Sequence, residues 1–279
     1  MIEARSFMQR GLRFNKGSKQ LWLEYTKLEL VYIAKIITRR QLLGMDSERT
    51  GKEVPEVEEI VKVSGIVAED SSLGLEHTDD VVDSPLNNLE SNPALNGAIP
   101  LAVFDAATKE IPKDINLVFS FFNLFSSFKN LPCLPKLLGH VTNHSLSNYS
   151  TSPLALFMAI KAPIIGVESS CPDFPSKIGS MLSRIATSLD KAYPRLELYR
   201  LVTSTLLEIL SIKDLDPAVA TVIKGSLTKY FRQAEAGDYI DPGIYHIWAK
   251  FLKSNGMPNA ANSVLIRSHE AFPSVPISV

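Results

Sequence analysis

Residues 4–43 read ARSFMQRGLRFNKGSKQLWLEYTKLELVYIAKIITRRQLL, and the spacing of apolar residues in this stretch decides the fold. Phe7, Met8, Gly11 and Leu12 fall three or four residues apart, so a helix would carry all four on one face. Asn15, Lys16, Gly17 and Ser18 then break the pattern. Ser18 suits the N-cap of a second helix, in which Trp22, Tyr25, Leu28 and Glu29 again recur at three- to four-residue steps. Two amphipathic helices joined by so short a polar turn should pack antiparallel.

The same signals continue downstream. A helix is expected from Ala98 to Ile111, with Val103, Phe104 and Ala107 on one face, followed by Phe119-x-x-Phe122-x-x-Phe125, which repeats the three-residue step begun at Trp22. Phe14, Ile111 and Ile240 each precede by eight residues an aromatic of the next helix, Phe119 and the two tryptophans included, as a recurring inter-helix corner would require. Prolines bound two short helices around a polar middle, His144 to Ser152, between Leu131 and Pro163. Further helices are expected at 176–192, with Ile178, Leu182, Ile185 and Leu189 inward, at 196–210, and at 217–236 with Asp216 as cap and Pro217 in the first position. A last pair is expected at 243–254 and 259–272. Almost nothing alternates with period two, so the predicted class is all-α.

The run Trp22-x-x-Tyr25-x-x-Leu28-Glu29 resembles the first helix of a HAT repeat, a relative of the TPR, and Arg5-x-Phe7-Met8-Gln9-Arg10-Gly11-Leu12 resembles its second. Trp248-x-x-Phe251 resembles the first helix again, with Asn255 where an acidic residue is expected. The wording of residues 9–44 is similar to the HAT-repeat U3 small nucleolar RNA-associated protein 6 family, densely over the first 45 residues and more thinly at Asn92 to Leu95 and Gly97 to Pro112. This resemblance implies antiparallel hairpins stacked as a HAT/TPR-like α-solenoid, with Phe7, Leu12, Trp22, Tyr25, Leu28, Glu29, Val103, Phe104, Phe119, Phe122, Trp248 and Phe251 packed between helices. It also implies a non-catalytic scaffold in the UtpB subcomplex of the nucleolar small-subunit processome, which supports pre-rRNA processing and 18S rRNA maturation. Its neighbours there would be WD40-propeller subunits, with pre-rRNA and U3 snoRNA in the same particle. HAT repeats in mRNA splicing or 3'-end processing are the alternative setting. Because Met1 opens directly on the second helix of a repeat, the chain is expected to be a C-terminal portion, or a truncated gene product, of something longer.

Charge divides the chain more sharply than its formal net charge of -1 suggests. Residues 1–45 carry nine Lys/Arg against three Asp/Glu, and residues 46–92 carry three against thirteen. The second segment lacks a sustained apolar period and could not offset the ordering entropy of about 1–2 kcal/mol per residue. It is therefore expected to be a disordered acidic insertion, either a solvated linker or an arm that docks on a basic surface. HAT-like helices are then expected at 1–45 and 93–279. In the basic part, Arg10, Arg13, Lys16, Arg39 and Arg40 are the best candidates to contact RNA or an acidic partner, with Arg5, Lys19 and Lys35 beside them. Phosphate contacts of that kind are salt-dependent and blind to sequence; the other reading is the solvated polar face of ordinary helices. Trp22, Tyr25 and Trp248 sit at core spacing rather than as base-stacking platforms.

Chemistry-bearing motifs are thin. His140-x-x-x-His144 has the spacing of a zinc-binding helix, but no Glu follows His140 and only Cys133 could offer a further ligand. Ser126-x-x-Lys129 and Ser188-x-x-Lys191 match a serine-lysine nucleophile pattern without its companion motifs. There is no Gly-x-Ser-x-Gly, P-loop, Gly-x-Gly-x-x-Gly or C-x-x-C. No catalytic residue, metal or cofactor is expected. Cys133 and Cys171 read as free thiols. The most apolar window, 115–128, is shorter than the ~20 residues of a membrane span.

Overall fold

The computed structural model describes residues 2–42 and 95–273. These residues are all-helical, with eleven α-helices, one short 3-10 turn and no strand. The acidic insertion expected at 46–92, and the return of order expected at Asn92-Pro93, lie outside the described residues. The chain divides into two compact units, Met1–Ser145 and Leu146–Val279.

The first unit begins with α1 (Ile2–Phe14) and α2 (Lys19–Leu42), joined by a tight turn in which Ser18 N–H donates to the Asn15 carbonyl. After residue 95 come α3 (Ala98–Glu110), α4 (Ile115–Ser126) and α5 (Leu134–Asn148), whose last turn crosses into the second unit. α2 packs against α1, α3 and α4, and α3 also packs against α4. Its buried stripe is Trp22, Thr26, Glu29, Ile33, Ile37 and Arg40, steps of three and four that keep one face of a 24-residue helix turned inward. Between α3 and α4 the core is aromatic. Phe104, Phe121, Phe122 and Phe125 are fully buried, and Phe104 meets Phe121 edge-on at 5.2 Å. Each such ring contributes about 2–3 kcal/mol of transfer free energy. α5 closes on α3 through His140 and His144, whose rings flank Phe104 at 5.7 and 5.1 Å.

The entry to α3 depends on Gly97. Its φ of 78° is a left-handed value that residues with a Cβ reach only at a cost. An added Cβ would also lie 3.0 Å from Leu137 Cδ2 on α5 and 3.2 Å from Cβ of Cys133, the residue just before that helix. The start of α4 is set by Asp114, which accepts from Leu117 N–H at 3.1 Å.

The second unit holds α6 (Pro153–Lys161), the 3-10 turn Ala162–Ile164, α7 (Phe174–Leu189), α8 (Arg195–Leu210), α9 (Pro217–Ala236), α10 (Pro242–Ser254) and α11 (Pro258–Ala271). α6 packs against α7 and α8, α7 against α8 and α9, α8 against α9 and α10, and α10 against α11. Here too helices touch the next element and often the one after it. Leu198, Leu206, Ile223, Leu227 and Phe231 form the centre of this core. Asp216 and Asp241 cap α9 and α10 through N–H groups two or three residues on, each followed by a proline at the first helical position.

Several expectations need correction. Phe7 is 69% exposed, because the face of α1 turned to α2 is the one carrying Arg5, Gln9 and Leu12, and Phe7 stands about 200° around the helix from Arg5. Phe14 is 85% exposed, which removes the first of the three proposed corners. Leu28 and Phe119 are only half-buried flanks; the inward stripe of α4 passes instead through Val118, Phe121, Phe122 and Phe125. The polar stretch after His144 stays helical to Asn148, and its buried Ser145 hydroxyl is satisfied within the helix by donating to the Thr142 carbonyl.

Candidate functional site

The basic stretch of the sequence becomes the α1–α2 hairpin, and four of its nine cations, Arg5, Lys16, Lys19 and Arg40, are paired with carboxylates or buried. Arg5 on α1 donates through Nε and Nη2 to the two carboxylate oxygens of Glu29 on α2, at 2.7 and 2.6 Å. Its guanidinium also lies 4.8 Å from the centre of the Tyr32 ring. Glu29 is buried at 1% exposure while Arg5 keeps 26%, so the fork satisfies a carboxylate that would otherwise sit uncompensated in the core. This hydrogen bond to Glu29 raises the Arg5 pKa above its ordinary value. One turn further on, Gln9 Nε2 donates to Tyr25 Oη at 3.0 Å. Tyr25 and Glu29 of the repeat-like motif therefore hold the preceding helix by polar contacts, and Leu12 supplies the buried apolar contact.

Lys16 and Lys19 pin the α1–α2 turn to the α3–α4 turn. Lys16 Nζ reaches Glu110 Oε1 at 3.1 Å, and Lys19 pairs with Asp114. The bond from Lys19, with help from Leu117 N–H, holds the Asp114 carboxyl below the usual carboxylate range against its partial desolvation. Trp22 Nε1 donates to the Lys16 carbonyl at 2.8 Å and ties the same turn to the core. Arg40, expected at the surface, is 6% exposed because it continues the inward stripe of α2. Arg10, Arg13, Lys35 and Arg39 remain exposed, with no ion pair among the described residues. They do not form one patch. The contacts Arg5–Glu29 and Gln9–Tyr25 fix an antiparallel register that sets Arg13 level with Leu21, about 27 Å along the axis from Arg39.

Trp248 and Phe251 occupy α10 in a different setting. Trp248 stacks on Phe231 at 5.4 Å and carries the Arg267 guanidinium 5.3 Å from its ring centre. Its Nε1 is buried without a hydrogen-bond partner. The reason is helix length before the tryptophan: Trp22 is the fourth residue of α2, so the carbonyl six residues earlier lies in the turn, whereas α10 already begins at Pro242, whose carbonyl belongs to the helix. No acidic group stands at Asn255, and Asn255 Nδ2 donates to the Phe251 carbonyl at 2.7 Å. The carboxylate in this region comes from α9 instead. Glu235 accepts from Arg267 Nε at 2.7 Å and from Tyr245 Oη at 3.1 Å. Burial, reinforced by Glu235, pushes the Tyr245 phenol up to about 12.

The remaining motifs are placed by their own helices. His140 Nε2 lies 2.7 Å from Asp105 Oδ1 at the surface. His144 sits beneath it against Phe104, where burial holds its pKa below the ordinary imidazole value. No group of three His, Cys, Asp or Glu among the described residues has the arrangement of a metal site. Ser126 Oγ donates to the Phe122 carbonyl at 2.6 Å, and Ser188 is buried in α7. Both cysteines are free, Cys133 buried with its thiol pKa raised by desolvation. No helix among the described residues is long and apolar enough to cross a membrane. No family model matches this chain, and no curated protein does either.

Proposed function

We propose that the chain is a non-catalytic scaffold of HAT/TPR-like helical hairpins, stacked as an α-solenoid and working among the UtpB proteins of the small-subunit processome in the nucleolus. There it would support pre-rRNA processing and 18S rRNA maturation through protein contacts, beside WD40-propeller subunits and the U3 snoRNA. The observation that carries this reading is the use made of the motif on α2: Trp22, Tyr25 and Glu29 each contact the preceding helix or its turn. A hairpin that binds its neighbour through fixed positions is the unit from which repeat arrays are built. Expression of the tagged chain in cells, followed by capture and cross-linking mass spectrometry, tests the assignment. Recovery of WD40-propeller processome proteins with U3 snoRNA supports it; recovery of splicing or 3'-end-processing factors transfers the same scaffold to the alternative setting.

A second reading, direct RNA binding by α1–α2, is favoured by the exposure of Arg10, Arg13, Lys35 and Arg39. Four phosphate contacts on a single strand give a slope of log K against log salt no steeper than about -2.8. Filter binding to a pre-rRNA fragment at several salt concentrations, with all four replaced by Gln, decides the matter. Unchanged affinity removes this reading.

A further inference from the structure

Within the second unit, the end of α7, the start of α8 and the last two turns of α9 enclose a cleft of about 350 Å³. Asp190, Arg195, Lys229 and Gln233 supply its polar lining together with the phenols of Tyr199, Tyr230 and Tyr239. We propose that this cleft binds a single carboxylate of an acidic peptide, and this proposal does not depend on the processome reading.

Two buried phenols carry the argument. Tyr199 and Tyr230 are 6% and 4% exposed, and neither hydroxyl has a hydrogen-bond partner among the described residues. They are not sealed in the core either. The buried side-chain polar atom that lacks both partner and solvent there is Trp248 Nε1, so solvent reaches both hydroxyls, and both residues line the cleft. Two phenol donors that solvent reaches and the protein leaves unengaged are available to a ligand that accepts from them.

The cations beside them select the acceptor. Arg195 is held in place: its Nη1 donates to Tyr239 Oη at 3.3 Å, its Nη2 donates to the Asp190 carbonyl at 3.0 Å, and its guanidinium lies 5.1 Å from the Tyr239 ring centre. Tyr239 is in turn stacked on Tyr199 at 6.1 Å with planes 13° apart. These contacts use two of the five guanidinium N–H donors and leave the rest for a ligand. Lys229, on α9, makes no ion pair among the described residues. Against these two positive charges stands one carboxylate, Asp190, so the local balance is a single positive charge. That favours a monoanionic carboxylate over a phosphate carrying close to two charges. Pockets for small molecules begin near 300 Å³, so the cleft takes one residue of a peptide rather than a length of polymer.

The test uses the full chain with tyrosine rings labelled for NMR and four probes: N-acetyl-glutamate N-methylamide, its glutamine counterpart, N-acetyl-alanine with a free terminal carboxylate, and inorganic phosphate. Saturable shifts of the Tyr199, Tyr230 and Tyr239 resonances with either carboxylate probe, at least tenfold tighter than with the glutamine probe, are expected. Whichever carboxylate binds more tightly identifies the source as an acidic side chain or a chain end. Tyr230→Phe and Lys229→Met, which remove a hydroxyl and an exposed charge without opening the core, should each weaken binding about fivefold or more. Equal binding of the glutamine probe, tighter binding of phosphate, an unchanged affinity in both variants, or no saturable shift with any probe overturns the proposal.

Discussion

Replacing Arg5 by Ala tests how the first helix is attached. α1 is 13 residues long, too short to persist by itself in water, and its described packing partner is α2. Leu12 is its buried apolar side chain, contributing about 2 kcal/mol by area. The Arg5–Glu29 fork therefore supplies a comparable share of what holds α1 down. Breaking a fully buried pair costs about 3–5 kcal/mol because the abandoned charge stays in the core. Glu29 is 1% exposed but Arg5 keeps 26%, so water already screens one partner and the loss should be nearer 2 kcal/mol. In native-state hydrogen exchange, protection of the amides from Met8 to Phe14 should fall about 30-fold, with α4 unaffected. Arg5→Lys keeps the charge but loses the bidentate geometry, so it should fall between wild type and Arg5→Ala. Arg5→Met with Glu29→Leu removes both charges and should recover part of the loss, which isolates the stranded carboxylate as its cause. Protection of α1 within twofold of wild type in Arg5→Ala would refute the reasoning.

Gly97→Ala should lower stability by about 1–3 kcal/mol, the sum of a left-handed residue with a Cβ and a close approach to Leu137, measured by urea unfolding of the first unit. Asp114 has a folded-state pKa below its ordinary value, so its contribution is present above about pH 4 and is lost as pH falls through the folded value; Lys19→Met should flatten that acid limb of the urea midpoint. Tyr245 shifts the other way, to about 12, so its contribution is intact below about pH 10 and is lost as pH rises toward 12. Tyr245→Phe should remove that alkaline slope. Trp22→Phe should cost about 1 kcal/mol more than Trp248→Phe, since the first loses a hydrogen bond to Lys16 and the second removes a donor that has no acceptor.

Helix positions were legible in the sequence because their causes are local. Asp216-Pro217 set the start of α9, and the 217–236 span emerges unchanged; the α1–α2 turn at Asn15 to Ser18 likewise follows from residues that stop a helix. Which face of each helix turns inward was legible only where a long stripe repeats itself. On α2 the spacing of Trp22, Tyr25 and Glu29 was legible, but the expectation that Arg40 reaches solvent failed because the stripe runs on through Ile33 and Ile37 and buries it despite its charge. On α1 two faces share Leu12: the one the spacing suggests, through Phe7, Met8, Gly11 and Leu12, and one through Arg5, Gln9 and Leu12. Hydrophobicity favours the first, yet the structure uses the second, because Glu29 and Tyr25 on the neighbouring helix present the matching partners. That choice depends on a helix 24 residues away and has no local signal. The cleft in the second unit was illegible for the same reason: Arg195 stands 44 residues before Tyr239, and the two meet only after three helices have packed.

The charges of the first hairpin show why a basic stretch and a basic surface are different things. Arg5 is held in an internal pair and Arg40 is buried, while Lys16 and Lys19 are offset at the surface by turn-to-turn pairs. Exposed ion pairs such as Lys16–Glu110 are individually worth little, about 0–1 kcal/mol. Lys19–Asp114 adds to a helix cap, however, so charge and backbone hydrogen bonding act on the same three-residue turn. Two turns from different hairpins are thereby held side by side, with Trp22 anchored beneath them. A sequence selected only to coat RNA has no need for acidic partners at Glu110 and Asp114 opposite its lysines. A sequence that locks one hairpin onto the next does, and Lys16 and Lys19 serve that packing while Arg10, Arg13, Lys35 and Arg39 keep the exposed positive charge.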